Sequence, residues 1–370
     1  MLQASLVLHC KQYRLVHSTS MSENNRIYYV RAPFYFKMTL LLAAVSVFLF
    51  SQLSFHDVKT ALNWTRQIHD DHAPWWDGSL CPCNDTRCIR QRSFPSDMEG
   101  VGGSCGRRAW AAGGGQRVIT YSLFGNLTKY WNGLGDILVT TKQLYPGWNV
   151  WLYTIPSGRE SILCPLMHAH PHLYICDVTN LPPPLGNVTE VNPSMWRFLA
   201  MGDDMLSAMA VRDTDSKITE RESCAVAEWL TCNTSFHVMR DHPFHASPVL
   251  AGLWGARWDL EGRNGSALSP GAFRALRDAM RTRGKKPHSR EQDQRVLGKV
   301  LWPVMTSNLT SHDSFKCKVF PAGTRPFPTR REHSLYVGNR EYTNTSRRLL
   351  VNKQCPLACR PPQHQDWLFC

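Results

Sequence analysis

Residues 38–55, MTLLLAAVSVFLFSQLSF, run for 18 positions without a charged side chain, and no other stretch of the chain matches them. As a helix they would extend roughly 27 Å, close to the hydrocarbon thickness of a bilayer. This segment therefore divides the chain into a short leading piece and a long trailing one. Residues 1–37 carry Lys11, Arg14, Arg26, Arg31 and Lys37 against the single acid Glu23. That bias predicts a cytosolic tail, a signal-anchor helix and a lumenal remainder. The alternative is a cleaved signal peptide with Ser51 and Ser54 flanking a weak cleavage site, for which a 37-residue leader is long.

Two residue counts support the lumenal placement. Glycosylation sequons occur at Asn63, Asn84, Asn126, Asn187, Asn233, Asn264, Asn308 and Asn344, eight of the 14 Asn beyond residue 55, where chance gives roughly two. None precedes the apolar segment. Of 13 cysteines, only Cys10 lies on the cytosolic side, and the twelve beyond the membrane suit disulfides in an oxidising compartment. Cys164 with Cys176 and Cys224 with Cys232 are two guesses among the pairings, since connectivity cannot be read from sequence. The trailing part carries 37 Lys+Arg against 28 Asp+Glu, which favours an anionic donor or an acidic glycan. A lumenal domain has no nucleic acid to bind.

Residues 56–115 are irregular and read as a stem, with Cys81, Cys83, Cys88 and Cys105 and the glycine-rich GVGGSCG and AAGGGQ. His69, Asp70, Asp71 and His72 sit there as adjacent polar residues, solvated or holding a metal. Residues 116–340 change texture. RVITYSLFG predicts a strand, Tyr130 to Leu144 a helix stopped by Pro146-Gly147, and NVWLYTI a second strand. HLYICDV predicts a third, and Met205 to Val211 a fourth that runs into Arg212-Asp213-Thr214-Asp215-Ser216. Thr219 and Glu222 then form a capping box for a helix with Ala225, Val226, Trp229 and Leu230 on one face. Phe236 to Met239 predicts a strand leading into Arg240-Asp241-His242-Pro243. This alternation implies an α/β fold with a mostly parallel sheet flanked by helices, whose ligands collect beyond the carboxyl ends of the strands. Residues 341–370 form a cysteine-containing extension.

Asp213 and Asp215 are the sharpest chemical feature. Alternate carboxylates in an extended loop can reach one hard cation, Mn²⁺ or Mg²⁺, that bridges them to a diphosphate. A bare D-x-D arises roughly once by chance in a chain of this size, and two solvated turn aspartates before a helix cap are the plain alternative.

The motifs SLFG (122–125), YPGW (145–148), MWRFLAMGDD (195–204), RDTDS (212–216), RES-x-AVAEWL (221–230), FHVMRDHPFH (236–245), LAGLWG (250–255), DQ (293–294) and HDSF (312–315) follow in order. In this the chain resembles a group of glycosyltransferase-like proteins with the GT-A fold, with Ala251 where a glycine is expected. The resemblance implies a type II membrane glycosyltransferase of the Golgi or endoplasmic reticulum that uses a nucleotide sugar and a glycan, glycoprotein or glycolipid acceptor. By the same resemblance Asp213 and Asp215 hold the metal and the donor diphosphate. Arg212 neutralises phosphate or pairs with a neighbouring acid, and His312 is a further metal ligand or part of a polar surface turn. An inverting transfer also needs a carboxylate base, for which Asp241 and Asp293 compete; each has a structural alternative, an Arg240 to Asp241 ion pair and a helix-terminal acid. His242 and His245 are poor zinc ligands without company. Trp254 is a candidate sugar contact, while Trp196, Trp229 and Trp302 read as core. The rivals are a lumenal metal-dependent phosphohydrolase working through Asp213, Asp215 and His312, and a lectin-like ectodomain without catalysis.

Overall fold

The computed structural model describes residues 104–106, 109, 112–260, 268–289, 291–332, 334–340 and 353–370. The apolar segment 38–55, the polar cluster at His69–His72 and Cys81, Cys83 and Cys88 lie outside them. Among the described residues no helix is long and apolar enough to cross a membrane.

The β-branched and aromatic runs form the expected strands: β1 (Gln116–Ser122), β2 (Trp148–Thr154), β3 (Leu173–Asp177), β4 (Leu206–Arg212) and β5 (Phe236–Arg240). Three more complete the sheet: β6 (Leu253–Arg257), β7 (Leu309–Asp313) and the two-residue β8 (Thr324–Arg325). Their order is β3-β2-β1-β4-β6-β5-β7-β8. Every pairing is parallel except those of β6, which runs antiparallel to both β4 and β5. β7 corrects the reading of SNLTSHDSF as a surface turn. Its five residues LTSHD are all buried, because neighbouring strands and helices supply partners for the polar side chains.

Helices cover both faces. On one lie α1 (Thr128–Asn132), α2 (Leu134–Leu144), α3 (Glu160–Ala169) and α4 (Glu220–Thr231). Leu134, Ile137, Leu138, Leu163, Met167, Val226 and Trp229 pack there against Ile119, Tyr121, Val150 and Leu152 of the strands. The i, i+3, i+4 spacing of the α2 residues is what brings them to one side. Gly147, at φ +81, makes the turn after α2 that a side chain would strain. Half of the capping box of α4 forms: Thr219 accepts from the Glu222 N–H at 3.2 Å, while the Glu222 side chain turns to Arg212 and Tyr145 instead of reaching back. On the other face α5 (Pro270–Arg283) starts at Ser269, which caps the Ala272 N–H, with Pro270 at its first position. It is followed by α6 (Gln292–Val296), a π-helical turn (Leu297–Leu301) and α7 (Trp302–Met305). Phe273, Met280, Leu297, Leu301 and Met305 join Trp151, Phe198, Phe236 and Trp254 in the larger core.

The disulfides differ from the pairings expected. Cys176 bonds to Cys105, Cys317 to Cys359 and Cys355 to Cys370, while Cys232 is a free thiol. The fold sets which thiols meet: Cys105 and Cys176 are 71 residues apart. The Cys317–Cys359 bond ties the C-terminal extension to the loop after β7.

Candidate functional site

Strand order reverses around β1, with β2 and β3 on one side and β4 on the other, so the crevice in which such sheets take a ligand is expected beyond the carboxyl ends of β1 and β4. Asp213 is the first residue past β4. The following turn brings the Ser216 N–H to the Asp213 carbonyl at 3.3 Å, and the loop then pairs with residues 338–340 through a bridge between Ser216 and Arg340. Asp213 is 31% exposed and Asp215 17%. Burial and the neighbouring Asp213 charge push the Asp215 carboxyl above its usual range, while Arg340, with Nε 3.5 Å from Oδ2, opposes them.

Arg197 organises this end of the sheet. It sits in a short 3-10 helix (Pro193–Phe198) after β3 and is buried. Its backbone N–H donates to Ser122 Oγ at 2.8 Å, at the end of β1. Its Nη1 donates to the Arg212 carbonyl at 3.1 Å and to Asp213 Oδ1, and its Nη2 lies 3.3 Å from Asp293 Oδ2. Asp293, 15% exposed, begins α6, and the next residue locks that helix in place. Gln294 accepts from the Ala251 N–H at 3.0 Å and donates to the Val249 carbonyl. Beside this loop Gly252 leaves room for the candidate metal-binding carboxylate, since a Cβ there would stand 2.1 Å from Asp213 Oδ2. Asp213 and Asp293 are thus linked through one guanidinium, while Asp215 pairs with Arg340.

A divalent cation suits Asp213 and Asp215 in one specific sense. Two carboxylates on one loop, one of them raised in pKa by burial and by the charge of the other, are relieved by a positive ion, and Mg²⁺-like ions accept one or two carboxylates with water and phosphate oxygens filling the rest. Among the described residues no three His, Cys, Asp or Glu side chains converge into a complete metal cage. Such an ion would have to share Asp213 with Arg197.

Other expected residues stand elsewhere. Arg212 turns away from the crevice: its Nε meets Glu222 Oε1 at 2.6 Å in the core, where the Tyr145 hydroxyl also donates to that oxygen at 2.9 Å. It pairs with a neighbouring acid and does not face a phosphate. His312 is wholly buried, with Nδ1 2.8 Å from His237 Nε2 and Nε2 3.3 Å from Glu228 Oε2. Both ring nitrogens are engaged, so it has no lone pair to offer a metal on Asp213. Burial holds both histidines below their ordinary range. The hydrogen-bond chain assigns Nε2–H to each neutral ring, leaving His237 Nδ1 as a buried acceptor with no partner.

Asp241 is likewise corrected from base to scaffold. It is fully buried and accepts from Arg221 at 2.9 and 3.0 Å, from Arg331 at 2.6 Å, from the Val337 N–H at 3.0 Å and from Ser314 Oγ. Burial alone would raise its pKa, but Arg221 and Arg331 outweigh it and hold the carboxylate well below the usual range. A carboxylate with every lone pair taken and no path to solvent cannot collect a proton from an acceptor hydroxyl. Arg240 pairs instead with Asp313 at 2.6 Å. Trp254 is buried in the core, where it meets Phe198 edge-on, so it touches no sugar.

Two residues were missed as site elements. Arg197 stood inside the apolar run MWRFLAM, where an isolated guanidinium signals a buried charge that needs partners. Phe124, 46% exposed, projects just past β1 and lies edge-on to Trp196 with centroids 6.0 Å apart. Exposed Leu127 and Ile155 extend this apolar rim along the ends of β1 and β2.

No family profile and no curated protein matches the chain. Among solved structures it is similar to a glycosyltransferase involved in the glycosylation of the major capsid of PBCV-1, at 13% identity over 56% of this chain and 87% of that one, with a TM-score of 0.30. It is also similar to a mannosyltransferase from Pyrobaculum calidifontis solved with GDP-Man and Mn²⁺, at 11% identity over 46% and 53% of the two chains and a TM-score of 0.30. Likenesses this distant assign no chemistry to this chain.

Proposed function

We propose that the crevice beyond β1 and β4 transfers a sugar from a nucleotide-sugar donor to a glycan, glycoprotein or glycolipid hydroxyl, with Asp213 and Asp215 holding Mn²⁺ or Mg²⁺. The observation that carries this reading is the departure of both carboxylates from the end of β4 at the reversal of strand order, with Asp213 and Asp293 tied to Arg197. The ion supplies Lewis-acid stabilisation of the departing nucleoside diphosphate.

The chain's own residues do the rest. Gly252 lets Asp213 lie flat against the β5–β6 loop, and Gln294 holds that loop to α6. Arg197 orients Asp213 and Asp293 and adds a positive charge where a diphosphate would bind. Asp293, partly exposed and on the crevice, is the base that takes the acceptor proton if the transfer inverts. Phe124 offers a flat ring for the nucleobase at the end of β1. The enzyme is anchored in a Golgi or endoplasmic-reticulum membrane through residues 38–55, and its site faces the lumen.

The test is a panel of nucleotide sugars with and without Mn²⁺, read as nucleoside diphosphate release. One donor should be turned over only with metal, and Asp213→Ala and Asp215→Ala should each remove that turnover while the protein stays folded. Phosphate release from simple esters with no sugar donor would favour the phosphohydrolase instead. Indifference to both alanine variants would leave a non-catalytic ectodomain.

A further inference from the structure

Four sequons fall on described residues, and the fold treats them unequally. Asn126, Asn187 and Asn233 are exposed. Asn187 shows the local geometry most clearly: its Oδ1 accepts from the Thr189 N–H at 3.0 Å and from the Thr189 hydroxyl at 2.7 Å, on a loop after β3. In Asn126 the side-chain oxygen accepts from Arg159 Nη2. In both, the amide oxygen is occupied and the nitrogen carries no hydrogen bond to it.

Asn308 is different. It is 8% exposed and both ends of its amide are used, Oδ1 accepting from the Ser235 N–H at 2.8 Å and Nδ2 donating to Ser235 Oγ at 3.2 Å. Ser235 is the hydroxyl residue of the Asn233 sequon. The hydroxyl residue of the Asn308 sequon, Thr310, is buried and meets Thr234 Oγ1 at 2.6 Å. The two sequons therefore face each other where β5 and β7 begin, and the Phe236 N–H bonds the Asn308 carbonyl at 3.1 Å in the same place. A sugar on Asn308 Nδ2 would replace one of its two N–H hydrogens and would have to fit where an 8% exposed side chain already lies between paired strands.

We propose that Asn126, Asn187 and Asn233 carry N-linked glycans and that Asn308 is a silent sequon, its amide serving as the clamp between β5 and β7. The inference rests on the lumenal placement. The modifying step belongs to the host cell. The Asn Nδ2 attacks the anomeric carbon of a lipid diphosphate-linked oligosaccharide, a C–N bond forms, the C–O bond to phosphate breaks, the amide gives up a proton and the lipid diphosphate leaves as the anion.

The experiment is glycopeptide mass spectrometry on the full chain expressed in a cell that performs N-glycosylation. Glycans on Asn126, Asn187 and Asn233 with an unmodified Asn308 support the proposal. Occupancy of Asn308 in folded protein overturns it, as does an empty set at the three exposed sites beside occupied sequons elsewhere. Glycan on no sequon at all strikes the lumenal placement itself and so is distinguishable. A second measurement probes the clamp: Asn308→Ala should lower Tm by roughly 2–8 °C, whereas Asn187→Gln, which removes only the exposed turn bonds to Thr189, should lower it distinctly less once glycans are removed from both proteins. Equal Tm values for the two variants would remove the clamp.

Discussion

Arg197 and Asp293 are 96 residues apart in the chain, yet Nη2 of one lies 3.3 Å from Oδ2 of the other. The same guanidinium holds Asp213, so the loop after β4 and the start of α6 share one cation at the mouth of the crevice. This contact separates the two aspartates that competed for the role of base. Asp293 keeps an exposed edge on the crevice, whereas Asp241 has given all its lone pairs to buried donors.

Exchanging each for asparagine should divide their roles cleanly. Asp293→Asn should lower turnover on the order of 100-fold or more with little change in Tm. Asp241→Asn should destabilise the fold by about 3–5 kcal/mol, because Arg221 and Arg331 would remain buried without their counter-charge. Denaturant titration of both proteins alongside donor turnover decides it, and a stable, inactive Asp241→Asn would reverse the assignment.

Gly252→Ala tests the seat of Asp213. The added carbon would meet Oδ2 at 2.1 Å, so the carboxylate has to move. A displacement of that order should cost on the order of 100-fold in turnover. Mn²⁺ affinity, followed by the loss of free-ion paramagnetic signal, should fall in parallel; unchanged affinity would separate Asp213 from the metal.

Phe124→Ala should raise KM for the donor about tenfold, with kcat nearly unchanged, if the ring stacks on the nucleobase and contributes about 1–3 kcal/mol. The effect should also appear with the free nucleoside diphosphate. A fall in kcat at constant KM would place the ring on the acceptor side.

Stability should decline from about pH 6.5 downward. Burial depresses His237, His245 and His312 below their ordinary range, His245 to about 3. In that window the unfolded chain binds protons that the folded protein refuses, so stability rises with pH by up to about 1.4 kcal/mol per unit for each histidine. Below the ordinary carboxylate range Asp241 adds to the loss, since its folded pKa is depressed and its stabilisation disappears as pH falls. Urea midpoints at pH 7.5, 6.0 and 5.0 measure the slope, and a flat profile would contradict it.

The strands β1 to β5, α2, the Thr219 cap of α4 and the position of Asp213 just past β4 were all legible in the sequence, because each depends on residues within a few positions: a β-branched run, a 3.6-residue period, a capping threonine, a proline-glycine stop. β7 was not, since LTSHD looks polar until buried partners are found for it. Nor were the disulfides, the burial of His312 or the parting of Asp241 from Asp293. Each of these turns on what stands opposite once the chain has folded, at separations from 15 residues for Cys355 and Cys370 to 96 for Arg197 and Asp293. A carboxylate carries the same formal charge wherever it occurs, and only tertiary contacts decide whether arginines neutralise it in the dark of the core or leave it an edge in water where a substrate can reach it.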